Sequence, residues 1–230
     1  MNLVLPCVTQ MKLPISIIGF GGHGRVVAAA LIASNQRIIA VTDFRPDLVT
    51  HAPKNALVLT DELLLKRFGP AEIMLVLGIG TVKPTYEDCL TRQVVKSFQK
   101  LGYRFVGLRH PTAWVAEDAI VSETAQIHAG VIVQPNATVG DFSILNTRSS
   151  VDHDCQIGSF CHLGPGSTLS GNVLVGSGSH LGTGCNVIQG VRIGESCLVA
   201  AGATVIRDIP NYEAVKGVPA KSFRPHHFLD

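Results

Sequence analysis

The segment SSVDHDCQIG, residues 149–158, places one histidine between two aspartates, Asp152-His153-Asp154. A neutral imidazole, with an ordinary pKa of about 6.5, can take a proton from an attacking amine or hydroxyl near neutral pH. A carboxylate on the second ring nitrogen fixes the tautomer and stabilises the imidazolium. The triplet therefore indicates that His153 is a general base oriented by a carboxylate, a metal ligand, or a polar residue on a solvated turn without a function.

The residues around this triplet follow a repeat of six. Sixteen positions, taken in steps of six from Val115 to Val205, are all valine, leucine or isoleucine. The residue four places after each of the first fifteen is compact, and this column includes Cys155, Cys161, Cys185 and Cys197. We interpret these cysteines as core residues and not as metal ligands. The period is typical of a parallel β-helix, in which three flat sides close a coil of about eighteen residues, and it predicts roughly five coils.

The first hundred residues have a different pattern. A short apolar strand leads into a glycine turn, G-x-G-x-x-G at Gly19, Gly21 and Gly24, and Asp43 follows the last glycine by nineteen residues. With a further strand, AEIMLVLGIG, and a helix over about 84–101, this order predicts a βαβαβ unit of Rossmann type. The turn is suited to a phosphate at the helix N-terminus, although a tight turn without a ligand is the alternative. The short unit favours a mononucleotide over NAD, because little room is left for a second dinucleotide-binding half.

Composition excludes several classes of protein. The 230 residues carry a net charge of +2 and only 16% are charged, which argues against a nucleic-acid partner. No run approaches the ~18 apolar residues that a membrane span needs. The opening segment lacks the features of a signal peptide, and the six cysteines show no C-x-x-C spacing. We therefore expect a cytoplasmic protein with reduced thiols.

Four strings in this order resemble one known family: IGFGGHG, RHPTAWVAEDAIV, ILNTRSSVDHDCQIGSFCHLGPGSTLSGNV and VKGVPAK. They are similar to the sialic-acid O-acetyltransferases and bacillosamine-type nucleotide-sugar N-acetyltransferases, over residues 15–222. The resemblance implies an α/β Rossmann-like nucleotide-sugar-binding domain at 14–108 and a left-handed parallel β-helix at 109–222. Residues 1–13 would be an N-terminal extension and 223–230 a C-terminal tail. The implied enzyme is a homotrimer without a metal, with acetyl-CoA between subunits.

The same resemblance assigns site residues. His153 would be the general base and Asp154 its partner, Asn146 would lie near the acceptor sugar, and His162 and Gly171 near the thioester. Three further positions would contact CoA, namely Gly202, Ala203 and Lys221. The nucleotide sugar would be bound by Gly21, His23, Gly24, Asp43, Gly78 and Lys83. Thr42 departs from the family, in which a pair of acids can occur here.

The resemblance implies transfer of an acetyl group to the C4 amine of a UDP-linked 4-amino-4,6-dideoxy sugar. GDP-perosamine N-acetylation and sialic-acid O-acetylation stay as alternatives, as does a trimeric nucleotide-binding scaffold without catalysis. The spacing also predicts that His162 and His180, eighteen residues apart, stack on successive coils. Gamma-class carbonic anhydrases hold zinc on histidines of such coils, but zinc normally needs a third protein ligand. NAD-dependent oxidoreduction is the least favoured alternative, because no substrate domain follows the glycine turn.

Overall fold

The computed structural model describes residues 13–80, 83–84, 86 and 89–223. Almost all of the predicted N-terminal extension and C-terminal tail, including the paired histidines His226 and His227, lies outside the described residues. Within them, no helix combines the length and the apolar character that crossing a bilayer requires.

The N-terminal unit is a parallel sheet of four strands in the order β3-β2-β1-β4, packed against helices. All four residues of β1 are buried, as expected for a parallel strand covered on both faces. The elements are β1 Ile15–Ile18, α1 Gly22–Ala33, β2 Ile38–Thr42, β3 Leu57–Leu59, α2 Asp61–Arg67, β4 Met74–Leu77 and α3 Leu90–Lys100. A single-turn 3-10 helix, Pro46–Leu48, follows β2.

The start of the last helix differs from the prediction. We predicted a helix from about residue 84, but α3 begins at Leu90, and the preceding Tyr86 is not helical. The Tyr86 ring stacks on Tyr212 in the last coil, with ring centroids 6.4 Å apart. We attribute the later start to this long-range contact, which holds Tyr86 against the last coil. The short β3 and α2 were not predicted at all.

Between residues 114 and 205, all of them described, sixteen strands of two residues recur every six residues. They form a left-handed parallel β-helix with three sides, as predicted. The strands β6 to β21 are Trp114–Val115, Ile120–Val121, Gln126–Ile127, Ile132–Val133, Thr138–Val139, Ile144–Leu145, Ser150–Val151, Gln156–Ile157, His162–Leu163, Thr168–Leu169, Leu174–Val175, His180–Leu181, Asn186–Val187, Arg192–Ile193, Leu198–Val199 and Thr204–Val205.

Each strand pairs with the strand eighteen residues later, so that Ser150 faces Thr168 and Val151 faces Leu169. The first side of the prism holds β6, β9, β12, β15, β18 and β21, and the second side holds β7, β10, β13, β16 and β19. The third side holds β8, β11, β14, β17 and β20, and it is extended by β5 Leu108–Arg109, β22 Ala214–Lys216 and β23 Lys221–Ser222. The second residue of each strand points inward and fills the core with the four predicted cysteines.

The third side is the one that contacts the N-terminal unit. Leu108 packs in the core of that unit, while its strand β5 pairs with β8 of the prism. Phe105 meets Phe142 edge to face, and Phe142 stacks on Phe160 one coil further on. The two units therefore share β5, and the domain boundary between residues 108 and 109 stays a prediction.

Candidate active site

His153 and Asp154 lie at the turn between β12 and β13, on the edge where the first and second sides meet. His153 Nδ1 is 2.7 Å from Asp154 Oδ2, and each side chain is 51% exposed. Asp154 takes the left-handed backbone conformation, φ 59°, which aspartate tolerates better than most residues. The tight turn thus brings two adjacent side chains into a hydrogen bond.

Two further contacts hold the pair. Asn136, one coil earlier at the same turn position, donates from Nδ2 to Asp154 Oδ1 at 3.3 Å. The His153 backbone N–H donates to Asp152 Oδ1 at 2.7 Å. The hydrogen bond to Asp154 raises the pKa of His153, and the same bond lowers the pKa of Asp154. The pair therefore favours the tautomer in which Nδ1–H donates to Asp154, and Nε2 is left as the atom that can exchange a proton with a substrate.

Gly171 lies against this imidazole. It is one coil after His153 and buried, and a Cβ atom added there would overlap Nε2 and lie 2.5 Å from Cε1 of the ring. The His153 ring thus occupies the space that a side chain at 171 would fill. The structure brings together three of the predicted site residues here, His153, Asp154 and Gly171.

Asn146 and His162 form a second group, on the third side. Asn146 Nδ2 is 3.2 Å from His162 Nε2, and Asn146 Oδ1 accepts from the Thr147 N–H at 2.8 Å. Since the Thr147 N–H can only donate, the amide nitrogen faces His162, whose Nε2 is then the acceptor. His162 and His180 pack edge to face with centroids 4.9 Å apart, which confirms their predicted stacking. Across the described residues, no three metal-ligating side chains are grouped to hold an ion.

The glycine turn borders a cavity of about 630 Å³ at the carboxyl ends of the N-terminal strands. Gly21, His23, Asp43 and Gly78, four of the residues predicted to contact the nucleotide sugar, line it. A Cβ at Gly24 would overlap Gly19 O, so Gly24 serves the close packing of turn and helix and lies outside this lining.

Thr42, the departure from the family, lines the cavity but is buried, and its Oγ1 accepts a hydrogen bond from the Gly19 N–H at 3.2 Å. Its hydroxyl therefore supports the glycine turn. Lys83, predicted to contact the nucleotide sugar, is half-buried in the segment after Gly80 and is not among the described residues that line the cavity.

The residues predicted to contact CoA lie near the last coil. Gly202 is exposed at a turn on the edge between the third and first sides, with φ 68° and open space around it. Lys221, exposed on β23, borders a cavity of about 320 Å³ with Arg207 and Asp208. The Ala203 side chain is fully buried in the prism core, so this residue can offer CoA its backbone alone.

The family description "PglD N-terminal domain" matches residues 14–84. A form of perosamine N-acetyltransferase from Caulobacter crescentus with one histidine replaced by asparagine, in complex with CoA and GDP-perosamine, is 35% identical. That similarity covers 92% of this chain and 97% of that chain, with a TM-score of 0.81. The chain belongs to the hexapeptide-repeat nucleotide-sugar N-acetyltransferases. It is an acetyl-CoA-dependent sugar N-acetyltransferase, which confirms the resemblance read from the sequence.

Two other solved structures are similar to this acetyltransferase. The acetyltransferase domain of PglB from Neisseria gonorrhoeae FA1090, in complex with acetyl coenzyme A, is 32% identical, over 91% of this chain and 98% of that chain, with a TM-score of 0.81. WeeI from Acinetobacter baumannii AYE is 21% identical over 92% of this chain and 100% of that chain, with a TM-score of 0.80, and shows the shared fold. None of the curated proteins compared with the chain matches it.

Sequence reasoning missed three residues around the acetyltransferase site. Gln126 and His128, 3% and 1% exposed, lie between the prism and the nucleotide cavity, and Asn136 supports Asp154. Asn136 could have been found by stepping eighteen residues back from Asp154. Gln126 and His128 carry no such signal, because their burial depends on which side of the prism meets the N-terminal unit.

Proposed function

We propose that this acetyltransferase acetylates the C4 amine of a UDP-linked 4-amino-4,6-dideoxy sugar, with His153 as general base and Asp154 as its orienting acid. The hydrogen bond between His153 Nδ1 and Asp154 Oδ2, 2.7 Å long, is the observation that carries the proposal. It supports one tautomer of the ring, with the lone pair of Nε2 directed at the space above Gly171.

The base acts on the acceptor amine. As the amine nitrogen forms its bond to the acetyl carbon, Nε2 of His153 takes one N–H proton, and the positive charge of the imidazolium is balanced by Asp154. The proton can then pass to the departing sulfur, which restores the neutral imidazole. No charge is left on the protein at the end of the cycle.

Acetyl-CoA supplies a thioester carbonyl that an amine can attack, with the CoA thiol as the leaving group. Because Gly171 has no side chain, the His153 ring lies directly against the backbone, and its solvent-exposed edge is open to an acyl thioester. We propose that the Gly171 N–H of one copy and the His162 ring of a neighbouring copy stabilise the negative charge that develops on the carbonyl oxygen. Gly202, Lys221 and the backbone of Ala203 would bind the rest of CoA.

A complete site needs two copies of the chain. His153 lies on the edge opposite the third side, whereas the nucleotide cavity, Asn146 and His162 lie at or near the third side. From six residues per side, the prism is roughly 20 Å wide, too far for His153 to reach its own cavity. Exposed apolar side chains on and beside the first two sides also favour burial against a partner, namely Trp114, Ile120, Ile132, Ile188 and Ile206. We therefore propose a homotrimer in which His153 of one copy serves the cavity of the next.

GDP-perosamine is a second candidate for the acceptor. It is favoured by the perosamine N-acetyltransferase structure in complex with that nucleotide sugar, at 35% identity to this chain. Asp43, whose Oδ1 accepts the Arg45 N–H at 2.9 Å, is one of three acidic residues on the cavity wall, with Asp61 and Glu62, and we propose that it recognises a base or ribose.

Release of CoA from acetyl-CoA, measured with UDP- and GDP-linked 4-amino-4,6-dideoxy sugars, tests both candidates. With the better acceptor, His153→Ala should lower kcat about 10²-fold or more. Glu117→Ala is the matched control, since Glu117 is exposed at the same turn position two coils earlier. Unchanged turnover in His153→Ala would remove His153 as the base, and wild-type turnover with neither sugar would refute the acceptor class.

A further inference from the structure

Gln126 makes three polar contacts, two to the nucleotide-binding unit and one to His128 of the prism itself. It stands on β8 of the third side, and its side chain points away from the prism core toward the N-terminal unit. Its Nε2 atom is 2.6 Å from the carbonyl oxygen of Leu77, the last residue of β4. Its Oε1 atom is 2.9 Å from His23 Nε2 and 3.3 Å from His128 Nε2.

These contacts define which atoms donate. The Leu77 carbonyl can only accept, so the amide nitrogen of Gln126 must face it, and the amide oxygen must face the two rings. An amide oxygen in turn can only accept, so His23 Nε2 and His128 Nε2 must both carry hydrogens. In a neutral imidazole the other nitrogen is then an acceptor, so the Nδ1 atom of His23 carries a lone pair.

Both rings are expected to be neutral. Burial lowers the pKa of His23, against a smaller opposing effect of the hydrogen bond to Gln126. Burial, together with the neighbouring rings, lowers the pKa of His128 to about 3. The His23 Nδ1 atom has no hydrogen-bond partner among residues 13–80, 83–84, 86 and 89–223. The His23 ring borders the nucleotide cavity and lies 6.2 Å, centroid to centroid, from His162.

The lone pair on His23 Nδ1 can accept a hydrogen bond from some groups of a nucleotide sugar and not from others. The oxygens of a diphosphate are acceptors themselves, so they do not form a hydrogen bond with an unprotonated Nδ1. Hydroxyl and amine groups of the sugar can donate to it. His23 lies within the glycine motif, between Gly21 and Gly24, and its ring is close to His162, where the acceptor sugar of the proposed reaction would lie.

We propose that Gln126 is a positioning residue that holds His23 as its Nε2–H tautomer, so that Nδ1 accepts a hydrogen bond from the sugar and not from the diphosphate. The sugar contact rests on the proposed function, whereas the tautomer follows from Gln126 alone. Neither Gln126 nor His128 touches the cavity directly, and both act through His23.

Two substitutions of His23 separate the two ring nitrogens. In His23→Asn an amide oxygen can take the position of Nδ1, whereas in His23→Gln the amide reaches only the position of Nε2. We expect His23→Gln to raise KM for the nucleotide sugar about tenfold, the effect of one lost hydrogen bond, and His23→Asn to raise it much less. The affinity for UDP or GDP alone, measured by calorimetry, should stay within about twofold in both, because the diphosphate makes no contact with Nδ1.

Gln126→Met keeps the length of the side chain and removes the amide. It should raise KM for the nucleotide sugar with little change in KM for acetyl-CoA, and Gln99→Met, on the exposed face of α3, should change neither. The ¹⁵N–¹H spectrum of histidine-labelled trimer should show His23 as the Nε2–H tautomer in the wild type and as a mixture in Gln126→Met.

Several results would overturn the inference while the proposed function stands. These are an active wild type with His23 in the Nδ1–H form, equal losses in the two His23 variants, or a UDP or GDP affinity that falls in parallel with that for the nucleotide sugar. A Gln126→Met protein that melts earlier but keeps both KM values would assign Gln126 to structure alone. A wild type that neither turns over nor binds these nucleotides would instead refute the proposed function, and the tautomer would still be tested by the spectrum.

Discussion

Replacing Gly171 by alanine tests whether His153 acts from the position that the structure gives it. The new Cβ would stand 2.5 Å from Cε1 of the imidazole and overlap Nε2. Ordinary contact needs about 3.5 Å, so the ring must move by roughly 1 Å. Because half of the ring is exposed to solvent, it can swing outward, but it then leaves the 2.7 Å hydrogen bond to Asp154.

A displacement of this size changes catalysis more than stability. A reacting group misplaced by about 1 Å can cost about 10²-fold in rate, which is ~2.7 kcal/mol of activation free energy. We expect kcat of Gly171→Ala to fall about 10²-fold, while the midpoint of thermal unfolding changes little, since the clash is with an exposed ring and not with the core. Alanine keeps the backbone N–H at 171, so a loss of activity would come from the displaced His153 ring and not from a missing oxyanion donor.

The assay is CoA release at saturating acetyl-CoA and nucleotide sugar, with Gly190→Asn as the control. Gly190 lies on the same edge one coil later, has φ 76° and open space, and asparagine stands at the equivalent Asn172. The control should retain activity within a few-fold. Activity of Gly171→Ala within about threefold of wild type would refute the placement of the reacting nitrogen above Gly171.

Three other substitutions test separate parts of the structure. Asp154→Asn removes the carboxylate that raises the pKa of His153. Because the proposed base must be neutral, activity is lost as the pH falls through that pKa. In a pH–rate profile the variant should therefore lose activity only at lower pH than the wild type, and its kcat should be lower by about tenfold or more. Asp118→Asn, at the same turn position two coils earlier, should leave the profile unchanged. Phe142→Ala removes a half-buried ring that meets Phe105 edge to face and stacks on Phe160. It should lower the free energy of unfolding in urea by about 2 kcal/mol, less than for a fully buried phenylalanine, and an undiminished value would show that these rings do not bind the units together. Ile188, 44% exposed, lies beside the edge that carries His153, so Ile188→Glu should weaken the proposed trimer about tenfold or more in sedimentation velocity and lower activity with it. Leu101→Glu at the end of α3 should do neither, and a stable, active trimer of Ile188→Glu would place the interface elsewhere.

The sequence predicted the prism because every inner position is set by a local period. A residue six places from an aliphatic position is again aliphatic, and each of the sixteen positions became a strand. The pairing of His153 with Asp154 was predictable for the same reason, since the two residues are adjacent and need only a turn. The stacking of His162 on His180 followed from the length of one coil.

The features that the sequence did not predict depend on contacts between residues far apart in the chain. Gln126 occupies an outward position like that of Gln156 on the second side, yet Gln126 is buried and Gln156 is exposed. The difference in burial arises because the N-terminal unit docks on the third side and not on the second. The same docking brings Tyr86 to Tyr212 and delays the start of α3, which local propensity placed at residue 84.

One side of the prism takes six residues and one coil takes eighteen, so the number of residues between two positions also sets the angle between them around the prism axis. Removing six residues between Ile127 and Val151 would keep an aliphatic residue at every inner position, so the prism would still close. Every later coil would nevertheless be rotated by a third of a revolution relative to the N-terminal unit, and His153 would lie on a different edge. Removing eighteen residues would restore the angle and shorten the prism by only about 5 Å, the spacing between strands. We therefore expect the fold to tolerate length changes in units of six residues, whereas the proposed site between neighbouring copies would tolerate them only in units of eighteen.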